Sequence, residues 1–217
     1  GAPKGQKGLG VVGAAVYAAH PSTRVLSLAY DLKDGLGKRY WRPGLPFPHD
    51  LFAYLASGGL VEAWNVAFER WIWELVCVPR MGWPPIHPRQ YRCAMAKSRT
   101  AALPGSLDKA GEVLQLTVRK DDDGKRLLKK FSVPHDPSAS DPRLRYDPIW
   151  TRQDLALAYQ QSPGKPTLRT LNADHEDSVK LLSYNVTDIA TEAEASSRIP
   201  DLLPAELARW FVHEDVN

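Results

Sequence analysis

The chain has 217 residues, 43% apolar and 24% charged, with a formal net charge of +3. This is an ordinary globular composition, mildly basic, which permits nucleic-acid binding without arguing for it. Cys77 and Cys93 form no CxxC and have no paired histidines, which excludes a disulfide framework and a zinc site and fits a reducing compartment. No apolar run approaches the roughly 18 residues of a membrane span and no signal peptide is visible, so a soluble, cytoplasmic protein without a membrane partner is expected.

Residues 1–10 carry no core pattern and read as an arm or a vector-derived remnant. Val11 to Ala19 is small and apolar and predicts a short helix, broken by His20-Pro21-Ser22. Arg24 to Tyr30 predicts a strand, Asp31 to Gly35 a turn and Lys38 to Trp41 a second strand, together an antiparallel hairpin. A helix follows from Pro48 to about Ser57, with Leu51, Tyr54 and Leu55 on its buried face.

Leu60 to Trp64 then reads as a short buried strand that turns at Asn65 into an amphipathic helix. Phe68, Trp71, Ile72, Leu75 and Val76 mark that helix's apolar face by their i, i+3, i+4, i+7, i+8 spacing. Glu69 falls on its first turn. In α/β sheets ligands gather beyond strand ends and at helix N-termini, so this carboxylate is either a site residue or a charge favoured by the helix dipole.

Pro79 to Pro88 is irregular, and Tyr91 to Thr100 reads as a helix or a strand–helix junction with Cys93 and Met95 in the core. Ser106 is placed to cap a helix over Leu107 to Leu116. Arg119 to Lys130 holds six Lys/Arg in twelve residues around Asp121-Asp122-Asp123-Gly124. It is either a solvated loop or an arm contacting phosphates, with Lys125, Arg126, Lys129 and Lys130 as the candidate contacts. Ser132 to Pro148 reads as an ordered surface loop, Trp150 to Gln161 as a short helix, Asp174 to about Arg198 as a long helix, and Leu203 to Val212 as a last one. The order of elements points to an α/β protein, a mixed sheet with helices packed on it.

Within the long helix, Tyr184 and Asp188 are four residues apart and project from one face. A phenol that orients water beside a carboxylate that holds a dication suits phosphodiester hydrolysis, since such cations take hard oxygen ligands.

Asn65-Val66-Ala67-Phe68-Glu69 at a strand–helix junction, followed by Tyr184-Asn185-Val186-Thr187-Asp188 on a helix, resembles the second and third motifs of the DEDDy 3′–5′ exonucleases. The closer resemblance is to the proofreading domain of phage-type family A DNA polymerases. It extends through Tyr17–Gly35, Cys93–Leu116, Arg119–Pro134 and Leu202–Asn217.

It implies a ribonuclease H-like fold, a mixed β-sheet flanked by α-helices. It also implies removal of 3′-terminal nucleotides from DNA with two Mg²⁺ or Mn²⁺ ions per site. By position, Glu69 would stand at the second-motif acid, Asp188 would be the third-motif metal ligand, and Tyr184 would orient the attacking water. Asn65 and Phe68 would contact the terminal nucleotide. Residues 11–200 would be the exonuclease-like domain, and 201–217 the start of a linker or helix into a polymerase domain of the same polypeptide. The implied partner is the 3′ end of single-stranded DNA.

Two departures bear on activity. The family's first motif, Asp-x-Glu on the first strand, is not found, and the first acid in the chain is Asp31, in a turn. Trp64 stands where many relatives carry His, and its size suits the core. With Glu69 and Asp188 alone, half the expected ligand charge is missing, so weak or no nuclease activity is expected. The competing reading is a non-catalytic domain that binds single strands or scaffolds the polymerase.

Overall fold

The computed structural model describes residues 12–21, 23–117, 124, 126–128, 131 and 176–216. The expectations for 1–10, 132–148 and 150–161, and those for Lys125, Lys129 and Lys130, lie outside these residues. No helix among the described residues is long and apolar enough to cross a membrane.

The chain divides into two compact units, one of residues 1–30, 38–47 and 121–186, the other of 31–37, 48–120 and 187–217. The first holds helix α1 (Ala14–Ala19) and the antiparallel strands β1 (Leu28–Tyr30) and β2 (Arg39–Trp41), registered Leu28 to Trp41 and Tyr30 to Arg39. The hairpin expectation is met, but the strands are three residues each. The turn between them forms because Asp31 Oδ1 accepts from Lys33 N–H at 2.8 Å, and Asp34 Oδ1 from Leu36 N–H at 3.0 Å. Gly124, Arg126, Leu127, Leu128 and Phe131 have helical backbone. The described part of the basic stretch is therefore not a solvated loop. Leu127 and Phe131 are buried with Leu181 and Tyr184, and Leu26 packs on them, while Arg126 stays exposed.

The second unit holds α2 (His49–Ala56), β3 (Val61–Ala63), α3 (Val66–Ile72) and α4 (Val78–Met81), then β4 (Tyr91–Cys93), α5 (Ala94–Thr100) and α6 (Leu107–Leu114). α7 (Glu176–Ser197) gives its first half to one unit and its second half to the other, and α8 (Pro204–Val216) follows. β3 and β4 pair in parallel, Val61 with Tyr91 and Ala63 with Cys93. A parallel pair needs a crossover, which α3 and α4 supply.

Among the described residues the strands pair as two two-stranded sheets, one in each unit, within an α/β arrangement. With one partner among these residues, β3 is half-exposed, and Leu60 before it is an exposed residue, not a buried one.

Between α3 and α4 the helix widens into a π turn, Trp73–Cys77. Such a turn inserts a residue into the helical repeat and rotates the faces beyond it. Val76 is buried as expected, together with Val66, Trp73 and Cys77, whereas Phe68, Trp71, Ile72 and Leu75 are only partly buried. Burial pushes the Cys77 thiol up to about 12, so it packs as a small apolar group.

Leu51 and Leu55 face the core from α2, which ends at Gly58 with φ +89°. The Tyr54 ring lies over Gly59, where any Cβ would collide with it, and Tyr54 Oη exchanges hydrogen bonds with the Leu60 amide and carbonyl, both at 3.1 Å. Ser106 precedes α6 as expected but makes no side-chain cap. The core of this unit joins Trp64, Ala94, Leu107, Ala110, Leu116, Ala195 and Ile199.

Candidate functional site

In a parallel pair both strands point the same way, so their carboxyl ends open on one side, where the following helices begin. Here β3 runs out through Trp64 and Asn65 into α3, and β4 runs directly into α5. The two ends are stitched together: Met95 N–H donates to the Trp64 carbonyl at 2.8 Å, and Cys93 Sγ lies 3.5 Å from the same oxygen. The Trp64 indole is buried and donates to the Gly105 carbonyl at 2.8 Å, so its expected role in the core holds.

The remaining polar group of that residue, the Trp64 N–H, donates to Glu192 Oε2 at 3.1 Å. Glu192 lies one turn after Asp188 on α7. The contact spans 128 positions in sequence and ties the Asp188 half of α7 to the end of β3. No motif singled out Glu192. The signal available was its spacing, since Tyr184, Asp188 and Glu192 recur every four residues.

Glu69 is on the first turn of α3, as expected. Its residue surface remains open to solvent, yet its carboxyl is closely surrounded by protein. Lost hydration pushes it up to about 8, a hydrogen bond from its own backbone opposes this, and the negative charge of Glu192 adds to the rise. Asp188 is half-buried, with Oδ1 shielded from solvent.

Tyr184 and Asp188 share a helix face, but they serve different surroundings. The Tyr184 ring is 8% exposed and packs with Leu127, Phe131 and Leu181 in the first unit, whereas Asp188 belongs to the second. Beside Tyr184, Asn185 Nδ2 donates to Ser27 Oγ. Asn65 is exposed at the start of α3 with no capping hydrogen bond from its side chain, and Phe68 is half-buried. Among the described residues, no group of three or more His, Cys, Asp or Glu side chains is gathered closely enough to hold a metal ion.

A second charged cluster is centred on Lys97. Lys97 of α5 is buried, and its Nζ donates to Ser196 Oγ at 2.7 Å and to the Ser196 carbonyl at 3.2 Å, one of the last carbonyls of α7. The same nitrogen is 2.7 Å from Asp201 and 3.6 Å from Glu62 of β3. The hydrogen bond and charge of Lys97 hold the Asp201 carboxyl below its usual range. Arg198 reinforces this end of α7 by donating to the Leu114 carbonyl at 2.8 Å and pairing with Glu194.

No family model and no solved structure matches the chain. It is similar to a DNA polymerase of Bacillus phage SP02, 27% identical over 210 residues. The match covers 94% of this chain and 28% of that polymerase, so the chain spans between a quarter and a third of its length. A likeness that runs through nearly the whole chain, both candidate motifs included, supports a polymerase-related domain.

Proposed function

We propose that this chain is a 3′–5′ exonuclease-like domain of a DNA polymerase, of ribonuclease H-like ancestry, that receives the 3′ end of single-stranded DNA during replication. The observation that carries the reading is the Trp64–Glu192 hydrogen bond, which ties the Asp188 half of α7 to the β3–α3 junction where Glu69 begins its helix. The extent of the likeness to a phage polymerase supports it further. That polymerase is much longer, which supports a polymerase domain in the same polypeptide as partner.

In this reading Glu69 and Asp188 face the scissile phosphate, and Asn65 and Phe68 take the terminal nucleotide. Carboxylates are the hard oxygen donors that Mg²⁺ and Mn²⁺ prefer, and such ions would supply an activated water and charge stabilisation. The described residues do not assemble a ligand set for them, and the Asp-x-Glu motif is not found in the sequence. The chain therefore binds a 3′ end but hydrolyses it weakly or not at all.

Incubation of the chain with 3′-labelled single-stranded DNA in Mg²⁺ or Mn²⁺ tests this. Binding with little release of label is expected. Rapid digestion abolished by Asp188→Ala would overturn the incompleteness of the site, and absence of any single-strand binding would overturn the reading as a whole.

A further inference from the structure

We infer that Glu192 is a positioning residue: by accepting the Trp64 amide it sets the register of α7 against the β3–α3 junction, and with it the placement of Asp188 relative to Glu69. The consequence for Glu69 and Asp188 rests on the exonuclease-like reading; the tether itself does not.

The acceptor and its target are suited to the task. The Trp64 carbonyl, in the next peptide group, accepts from the Met95 amide at 2.8 Å, and the Trp64 indole donates to the Gly105 carbonyl at 2.8 Å. Glu192 thus grips a backbone group that cannot easily follow it. A carboxylate on a backbone N–H is a charge-assisted bond, stronger than a neutral one. Asp188 lies one turn away on the same face, so fixing the rotation of α7 at Glu192 fixes it at Asp188. The anchor is also local to the chemistry, because Trp64 immediately precedes Asn65 and stands five positions before Glu69.

The test combines exchange of the Trp64 amide, followed by NMR, with binding of a single-stranded 3′-hydroxyl oligonucleotide to the whole chain. Glu192→Ala should speed Trp64 exchange by roughly tenfold or more, the size of a lost charge-assisted bond, and weaken oligonucleotide binding. Glu192→Gln, which retains an acceptor oxygen, should stay within about threefold of wild type on both readouts. Glu192→Asp keeps the charge but falls one methylene short, so it should resemble Glu192→Ala, and it replaces that variant should Glu192→Ala fail to fold.

Unchanged Trp64 exchange in Glu192→Ala, or in Glu192→Asp in its place, overturns the tether. A Gln variant that loses oligonucleotide binding while its Trp64 amide stays protected makes Glu192 a direct contact and overturns the positioning role. A wild-type chain without oligonucleotide affinity sinks the exonuclease-like reading, and the amide exchange alone then decides the tether.

Discussion

Lys97 is the most demanding charge in the second unit, and removing it gives a prediction with a definite size. Lys97→Met keeps the apolar stem and deletes the ammonium. The bonds to Ser196 at 2.7 and 3.2 Å go with it, one of them to a terminal carbonyl of α7. Hydrogen bonds to a charged group contribute about 1.5–3 kcal/mol. Asp201 approaches to 2.7 Å, but its side chain is 90% exposed, and Glu62 is at 3.6 Å and 37% exposed. Solvent-screened pairs of that kind add only about 0–1 kcal/mol. Against this stands the relief of no longer burying an ammonium.

If that relief offsets about one of the two bonds, the balance is a loss of about 2–3 kcal/mol. With a urea slope of about 2 kcal/mol/M, the unfolding midpoint should fall by about 1–1.5 M. Asp201→Asn should cost less than about 1 kcal/mol, and nothing further in the Lys97→Met background. Because the Asp201 carboxyl is depressed, its share is present above the usual value of 3.8 and is lost as pH falls below it. A Lys97→Met chain as stable as wild type would refute this, showing that desolvation cancels the whole network.

Three further outcomes follow from single contacts. The Glu69 carboxyl is raised to about 8, so the folded chain binds more protons than the unfolded one between about 4.5 and 8. Stability should therefore fall as pH rises through that window, and Glu69→Gln should flatten the profile and stabilise the chain at pH 8–9, read by thermal melts across pH. Gly59→Ala drives a methyl into the Tyr54 ring and should cost about 1–3 kcal/mol in urea unfolding; Tyr54→Ala in the same background should recover part of it. The Tyr91 hydroxyl is buried without a hydrogen-bond partner among the described residues, so Tyr91→Phe should leave the urea midpoint unchanged or raise it.

Local features were legible in the sequence because their causes are local. The hairpin follows from Asp31 and Asp34 turning the chain onto their own backbone, and the strand–helix junction falls at Asn65 as the pattern indicates. The buried face of this helix was legible in part: Val76 is buried as its spacing indicates, while the π turn at Trp73–Cys77 breaks the 3.6-residue repeat, and Trp73 and Cys77 are buried rather than Leu75. Which strands pair was not legible, since pairing is decided by distant partners and Leu60 looks equally apolar in a core or on an edge. Glu69 and Asp188 were singled out through their motifs, whereas Glu192 accepts from a backbone amide, a contact that no side-chain pattern encodes. Lys97 was likewise invisible, because a lysine reads as a surface residue until the end of α7 is seen to close over it.

Fluorescence anisotropy of a single-stranded oligonucleotide with a free 3′ end, set against the same strand closed into a circle, tests whether the β3–α3 junction receives a 3′ end. The wild-type chain should bind the free end more tightly than the circle, and Asn65→Ala and Phe68→Ala should each narrow that difference. Equal affinity for the two substrates, or a difference that neither variant changes, would contradict the exonuclease-like reading.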